Sequence, residues 1–213
     1  ACLVGSEMCI RDSKKSLSLE NQHKLMTVKV ESEVLRETQL VVCLLFQYAG
    51  MSFVDFAHLK ERNIKNGILD YNRQKTGTPM RLEILDTAEL MRKELMGDKR
   101  PASGYLFPFL SGTKTGYEAY LEYNAALSRF NRNLKALKKA AGIASDVTSY
   151  TIRHSFAMAL KEQNVPIEMI SELLGHKSIK TTQIYLRSFS LEKMTEVNST
   201  CFGCVYNYVS KVG

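Results

Sequence analysis

The chain has 213 residues, 45% of them apolar and 24% charged, with 29 basic against 22 acidic side chains and a formal net charge of +7. That length supports one good hydrophobic core, and the composition is ordinary for a globular domain. The cationic surplus favours a polyanionic partner, while the absence of any run near 18 uncharged apolar residues excludes a membrane span, and the start has no signal-peptide pattern.

Residues 1–13, ACLVGSEMCIRDS, show neither a helix cap nor a core stripe and read as a leader foreign to the fold, close to translated adapter sequence. The stretch KKSLSLENQHKL that follows reads as the end of a linker. Leu40, Val41, Leu44, Leu45 and Tyr48 recur at helical spacing, which predicts a largely buried helix over 33–49. Phe53, Phe56 and Leu59 continue a helical pattern after Gly50. Asn66-Gly67 signals a turn, and two strands follow at Ile68–Arg73 and Met80–Leu85, joined through Lys75-Thr76-Gly77.

A helix returns at Thr87–Met96, with Thr87 placed to cap it, and residues 97–117 read mostly as loop around YLFPFL. Leu127, Phe130, Leu134, Leu137 and Ala141 then make one apolar stripe stopped by Gly142. Arg129, Arg132, Lys135, Lys138 and Lys139 occupy the rest of that helix, and no acidic residue occurs from Tyr123 through Ser145. Further helices are expected over Ile152–Gln163, from Pro166 to a stop at Gly175, and after a Ser178 cap. The fold class is therefore mainly α with a small antiparallel β-sheet, one domain over 14–198 followed by a tail, 199–213.

Five cysteines stand at 2, 9, 43, 201 and 204, an odd number without regular spacing, which points to a reducing, cytoplasmic setting. Cys43 lies in VVCLLF and reads as a core residue. Cys201 and Cys204 have CxxC spacing, a weak zinc signal without a second pair.

Phosphoryl transfer on DNA needs an in-line nucleophile, cations for the non-bridging oxygens, and an acid for the leaving 5′ oxygen. Candidates gather at the hairpin tip and in the last third. Arg153, in TSYTIRHSFAMAL, carries a fork that grips two phosphoryl oxygens, although a solvated arginine at a helix start explains it equally. His176 follows the Gly175 stop, where a side chain reaches a ligand without distorting a helix; a capping histidine is the plainer reading. Tyr185 lies nine residues later, and a phenol that titrates near ~10 becomes a nucleophile only beside cations. Lys75 sits on the hairpin tip, where lysines are ordinarily solvated, yet a tip can fold over a bound backbone and deliver a proton.

Taken together, GMSFVDFAHL at 50–59, NGILDYNRQKTG at 66–77, TSYTIRHSFA at 148–157 and ELLGHKSIKTTQIYLRSF at 172–189 resemble the tyrosine recombinase, or phage integrase, family. The wording is most similar to the branch common in Bacteroidetes mobile elements. The resemblance implies the family's catalytic-domain fold, with Tyr185 as the nucleophile forming a 3′-phosphotyrosyl link. It implies Arg153 as the second catalytic arginine, His176 as the phosphate-binding histidine and Lys75 as the general acid. Tyr150 takes the place of a histidine, and its hydroxyl can still donate to a phosphate oxygen.

The resemblance also implies double-stranded DNA as partner, assembly of several copies on it, and no cofactor or metal. The basic residues from Arg129 to Lys139 would track the DNA backbone, and residues 199–213 would dock on a neighbouring copy. Two departures stand out. Ala49 and Ser52 occupy the alternative places of the first catalytic arginine, and Arg36 and Arg62 belong to the wrong turns to replace it. The family's separate N-terminal DNA-gripping domain is also expected upstream. Three functions follow: a site-specific DNA-rejoining enzyme, a DNA-binding remnant disabled at Ala49, or a helical protein–protein adaptor in which the four site residues need not meet.

Overall fold

The computed structural model describes residues 16–99, 101, 104–186, 194–195 and 198–200. The leader 1–13 and Cys201–Gly213, with the CxxC pair, lie outside the described residues, as do Leu191 and Val197 of the expected tail helix.

Helix α1 spans Leu19–Thr27, where the sequence suggests a linker. Ser18 caps it by accepting the Asn21 amide at 3.2 Å, and Leu17 and Leu25 are buried. The Leu17 amide also donates to Ser155 Oγ at 2.8 Å, tying this helix to the distant C-terminal third. Helix α2, Glu33–Gln47, is the central rod, with every residue from Thr38 to Leu45 buried. Its apolar residues on nearly all sides explain the position, because such a helix is stable only when other elements surround it. Cys43 is among them, and burial pushes its thiol up to about 11.

After α2 the chain reverses through Ala49 and Gly50, both at positive φ, into the short α3, Phe53–Ala57. Gly50 is required there twice over, since a Cβ would also lie 2.7 Å from Phe156. A single 3-10 turn, Glu61–Asn63, leads to a three-stranded antiparallel sheet in the order β1 (Ile64–Lys65), β2 (Ile68–Asn72), β3 (Pro79–Glu83). The sequence reading holds two of these strands and misses β1, a two-residue strand too short to show alternation. Asn66 and Gly67 both take positive φ, the geometry of a two-residue hairpin turn. Tyr71 faces Met80 and Asn72 faces Pro79 in the register, so the β2–β3 turn starts at Arg73.

Helix α4 covers Asp86–Met96. Thr87 does not cap it: the helix begins one residue earlier, and the Thr87 hydroxyl donates to Gln47 Oε1 at 3.0 Å. Helix α5 runs Gly116–Ala140, reaching well upstream of the stripe that announces it. Its Phe130 stacks on Phe53 at 4.7 Å, and Phe56 stacks on Phe107 at 4.1 Å, forming the aromatic centre of the main core. Helices α6 (Ser149–Glu162), α7 (Ile167–Leu173) and α8 (Ile179–Tyr185) complete the described fold. Pro166 occupies the cap position of α7, Gly175 lies just past its end, and Ser178 caps α8. A second, smaller core of Ala157, Ile170, Leu174 and Leu186 holds these last helices together. No described helix is long and apolar enough to cross a membrane.

Candidate active site

Arg153 and His176 come near each other along the seam between the two cores. Arg153 is the fifth residue of α6, and its side chain is buried. It donates through Nη1 to the Gly50 carbonyl at 2.8 Å and through Nη2 to the Leu174 carbonyl. One guanidinium thus joins the turn after α2 to the end of α7, which is incompatible with a solvated arginine.

His176 follows two residues after Leu174. Its Nδ1 shares a hydrogen bond of 2.8 Å with the Thr182 hydroxyl on α8, and Thr182 is fully buried. Burial, then the charges of Arg153 and Arg73, hold the imidazole down at about 4, so it is neutral at physiological pH. Tyr185 ends α8, one helical turn beyond Thr182; its side chain lies outside the described residues. Tyr150 stands in the first turn of α6, 47% exposed, with its ring stacked on His154 at 6.2 Å.

Lys75 is exposed in the turn between β2 and β3. That turn is closed by the Arg73 amide donating to Thr78 O at 2.9 Å and the Gly77 amide to Arg73 O at 2.8 Å. Its base is held by a residue absent from the sequence-based set. Asp55 of α3 is 2% exposed and accepts the Gln74 amide at 2.7 Å, beside Lys75. The other Asp55 oxygen accepts the Ser52 hydroxyl at 2.6 Å and faces Arg73 Nε at 3.4 Å.

Arg73 is the second omission. Its Nη1 donates to the Leu174 and Gly175 carbonyls at 3.0 and 3.1 Å. Both residues had a signal in the sequence. Arg73 continues the inward alternation of Leu69 and Tyr71 along β2, and Asp55 sits between Phe53 and Phe56 in a short apolar helix. A charge on an inward face needs a partner, and each is the other's.

Neither candidate place for the first arginine holds a phosphate ligand. Ala49 is buried, and the Ser52 hydroxyl is engaged with Asp55. Arg36 is held by Glu94 at 2.6 and 2.9 Å. On α5, Arg129, Arg132, Lys135 and Lys139 are exposed. Lys138 differs from the expected free cation: it donates to Ala144 O in the loop after the helix at 3.1 Å and pairs with Asp146 at 3.3 Å. The carboxylate lies one residue beyond the acid-free stretch and folds back onto it. Among the described residues, no three His, Cys, Asp or Glu side chains gather as a metal site.

Two buried guanidiniums beside a neutral histidine, on helices around a small antiparallel sheet, are what this seam brings together. The chain belongs to the phage integrase family, whose model matches residues 15–192. It is 32% identical over 177 residues to tyrosine recombinase XerA of Pyrococcus furiosus, covering 81% of this chain and 57% of that protein. To tyrosine recombinase XerC of Rickettsia typhi it is 41% identical over 75 residues, 35% of this chain and 24% of that one. The chain thus spans less than two thirds of these relatives.

Solved structures share the fold. A crystal structure of XerA recombinase superposes with a TM-score of 0.64 at 20% identity, over 87% of this chain and 62% of that one. XerH site-specific recombinase bound to palindromic difH substrate gives 0.62 at 19%, over 87% and 52%.

Proposed function

We propose that this chain is the catalytic domain of a site-specific DNA recombinase that cuts and rejoins strands through a 3′-phosphotyrosyl intermediate. The observation that carries the reading is the convergence of buried Arg153 and half-buried His176 at the end of α7, directly before the helix that bears Tyr185. The adaptor reading requires no such meeting. Arg153, His176 and the Tyr150 hydroxyl would hold the non-bridging oxygens of one phosphate. The Tyr185 oxygen bonds to phosphorus as the bond to the 5′ oxygen breaks, Lys75 gives that oxygen its proton, and the phenolic proton is lost to solvent.

A second strand's 5′ hydroxyl reverses the step. The phosphotyrosyl link conserves the phosphodiester energy, so the scheme calls for neither ATP nor a metal ion. Double-stranded DNA is the partner, contacted along its backbone by the basic face of α5, and paired sites imply several copies assembled on it. The reaction belongs in the cytoplasm, with the DNA. GMSFVDFAHL at 50–59 and NGILDYNRQKTG at 66–77 are the segments that favour the Bacteroidetes mobile-element branch, from which Ala49 departs.

A library of duplexes carrying a nick beside a randomised core tests the scheme. The parent chain is expected to give a covalent adduct that survives denaturation, and Tyr185→Phe none. A remnant reading competes, favoured by buried Ala49 and by Ser52 engaged with Asp55. An adduct absent from the parent but present in Ala49→Arg would establish that reading instead.

A further inference from the structure

The resemblance calls for an arginine at residue 49 or 52, yet a second buried guanidinium already stands beside Arg153. Arg73 is 9% exposed, and its Nη1 and the Nη2 of Arg153 donate to the same oxygen, that of Leu174. Sharing one acceptor puts the two groups within about 6 Å, a span over which two donors can hold oxygens of a single phosphate. Arg73 reaches this point from the end of β2 with its shaft pressed beneath Gly175, where a Cβ would lie 2.6 Å from its Cδ. Asp55 fixes the Nε edge at 3.4 Å.

Capping the orphan carbonyls of α7 accounts for Nη1 alone. The remaining nitrogen, Nη2, has no hydrogen bond among the described residues and is not sealed from solvent.

We propose that Arg73 supplies the phosphate contact that residues 49 and 52 no longer provide, a replacement guanidinium entering from the hairpin instead of from the turn after α2. This rests on the strand-cleavage reading for the identity of the phosphate. The Arg73 fork would hold one non-bridging oxygen through Nη2 while its Nη1 keeps the end of α7 in place, and Arg153 would hold the other.

The full chain is compared with Arg73→Gln, Arg73→Lys and the surface control Lys93→Ala in two measurements. In the first, thermal unfolding is followed in inorganic phosphate and in chloride of matched ionic strength. The parent and Lys93→Ala are expected to gain stability specifically in phosphate, Arg73→Gln to gain none, and Arg73→Lys to gain part. In the second, adduct formation on the nicked library is expected to fall on the order of 100-fold in Arg73→Gln. A purely structural Arg73 would lower stability in both salts alike and leave the phosphate increment intact.

A folded Arg73→Gln that keeps both the increment and the adduct rate overturns the proposal. If Arg73→Gln does not fold, Arg73→Lys decides: an unchanged increment and rate overturn the proposal, and a loss in both supports it. A phosphate increment that depends on Arg73, in a parent without any Tyr185-dependent adduct, upholds the anion contact and sinks strand cleavage alone.

Discussion

At the scale of single residues, charge placement dominates. His176 is held near 4 in the folded chain, first by burial and then by Arg153 and Arg73, against 6.5 when unperturbed. From about 6.5 down to about 4 the unfolded chain takes up a proton that the folded chain refuses. The contribution of His176 to stability is therefore complete above that window and is lost as pH falls through it. His176→Asn should show a shallower decline of melting temperature between neutral and acidic pH, followed by circular dichroism. Parallel profiles for the two proteins would mean that the imidazole is not held neutral. Tyr48 behaves similarly as a buried acid, with burial pushing its phenol up to about 12, which leaves it uncharged throughout.

At the scale of elements, the end of α7 is the keystone, because its last carbonyls accept both arginines. Gly175 makes that end possible: its φ is +61, and an added Cβ would meet Met80 Sδ at 2.4 Å and Arg73 Cδ at 2.6 Å. Gly175→Ala should cost about 2–4 kcal/mol, combining a left-handed backbone with overpacking, as read by urea denaturation. Gly142 provides the contrast, at φ +67 with nothing within 4 Å of where an added Cβ would stand. Its alanine variant should lose only about 1–2 kcal/mol, the conformational part alone. Equal losses at the two positions would show that the packing of Arg73 beneath Gly175 is not under constraint. The hairpin obeys the same logic, since Asp55 secures its base while Lys75 at the turn stays exposed.

At the scale of the whole molecule, two cores meet where the chemistry is proposed. Arg153 spans them, from Gly50 beside the main core to Leu174 of the smaller one. Under the proposed function, the outer surface of α5 would supply affinity. Each phosphate contact made by α5 should appear in the salt dependence of DNA binding, so Arg132→Ala should lower the slope of log K against log salt by about 0.9. Lys138→Ala should change it much less, because that ammonium is paired with Asp146 and the Ala144 carbonyl. Fluorescence anisotropy over a salt series measures both, and equal slopes for the two variants would remove α5 from the DNA-contacting surface.

The sequence by itself determined most of the helical elements, because apolar periodicity and the glycine stops at 142 and 175 are local properties. It also determined the family, since ELLGHKSIKTTQIYL and its partner segments carry their own spacing, and it put forward Tyr185, Arg153, His176, Lys75 and Tyr150 as candidate site residues. Helix α1 escaped it because its burial depends on contacts made far along the chain, such as that between Leu17 and Ser155. Only the tertiary structure decided that Asp55 and Arg73 belong with Arg153. They lie 18 residues apart, and Arg73 meets Leu174 a further 101 residues on, so no local pattern ties them together. Burial forces charged groups to find one another, and which ones do so depends on how the helices close over them.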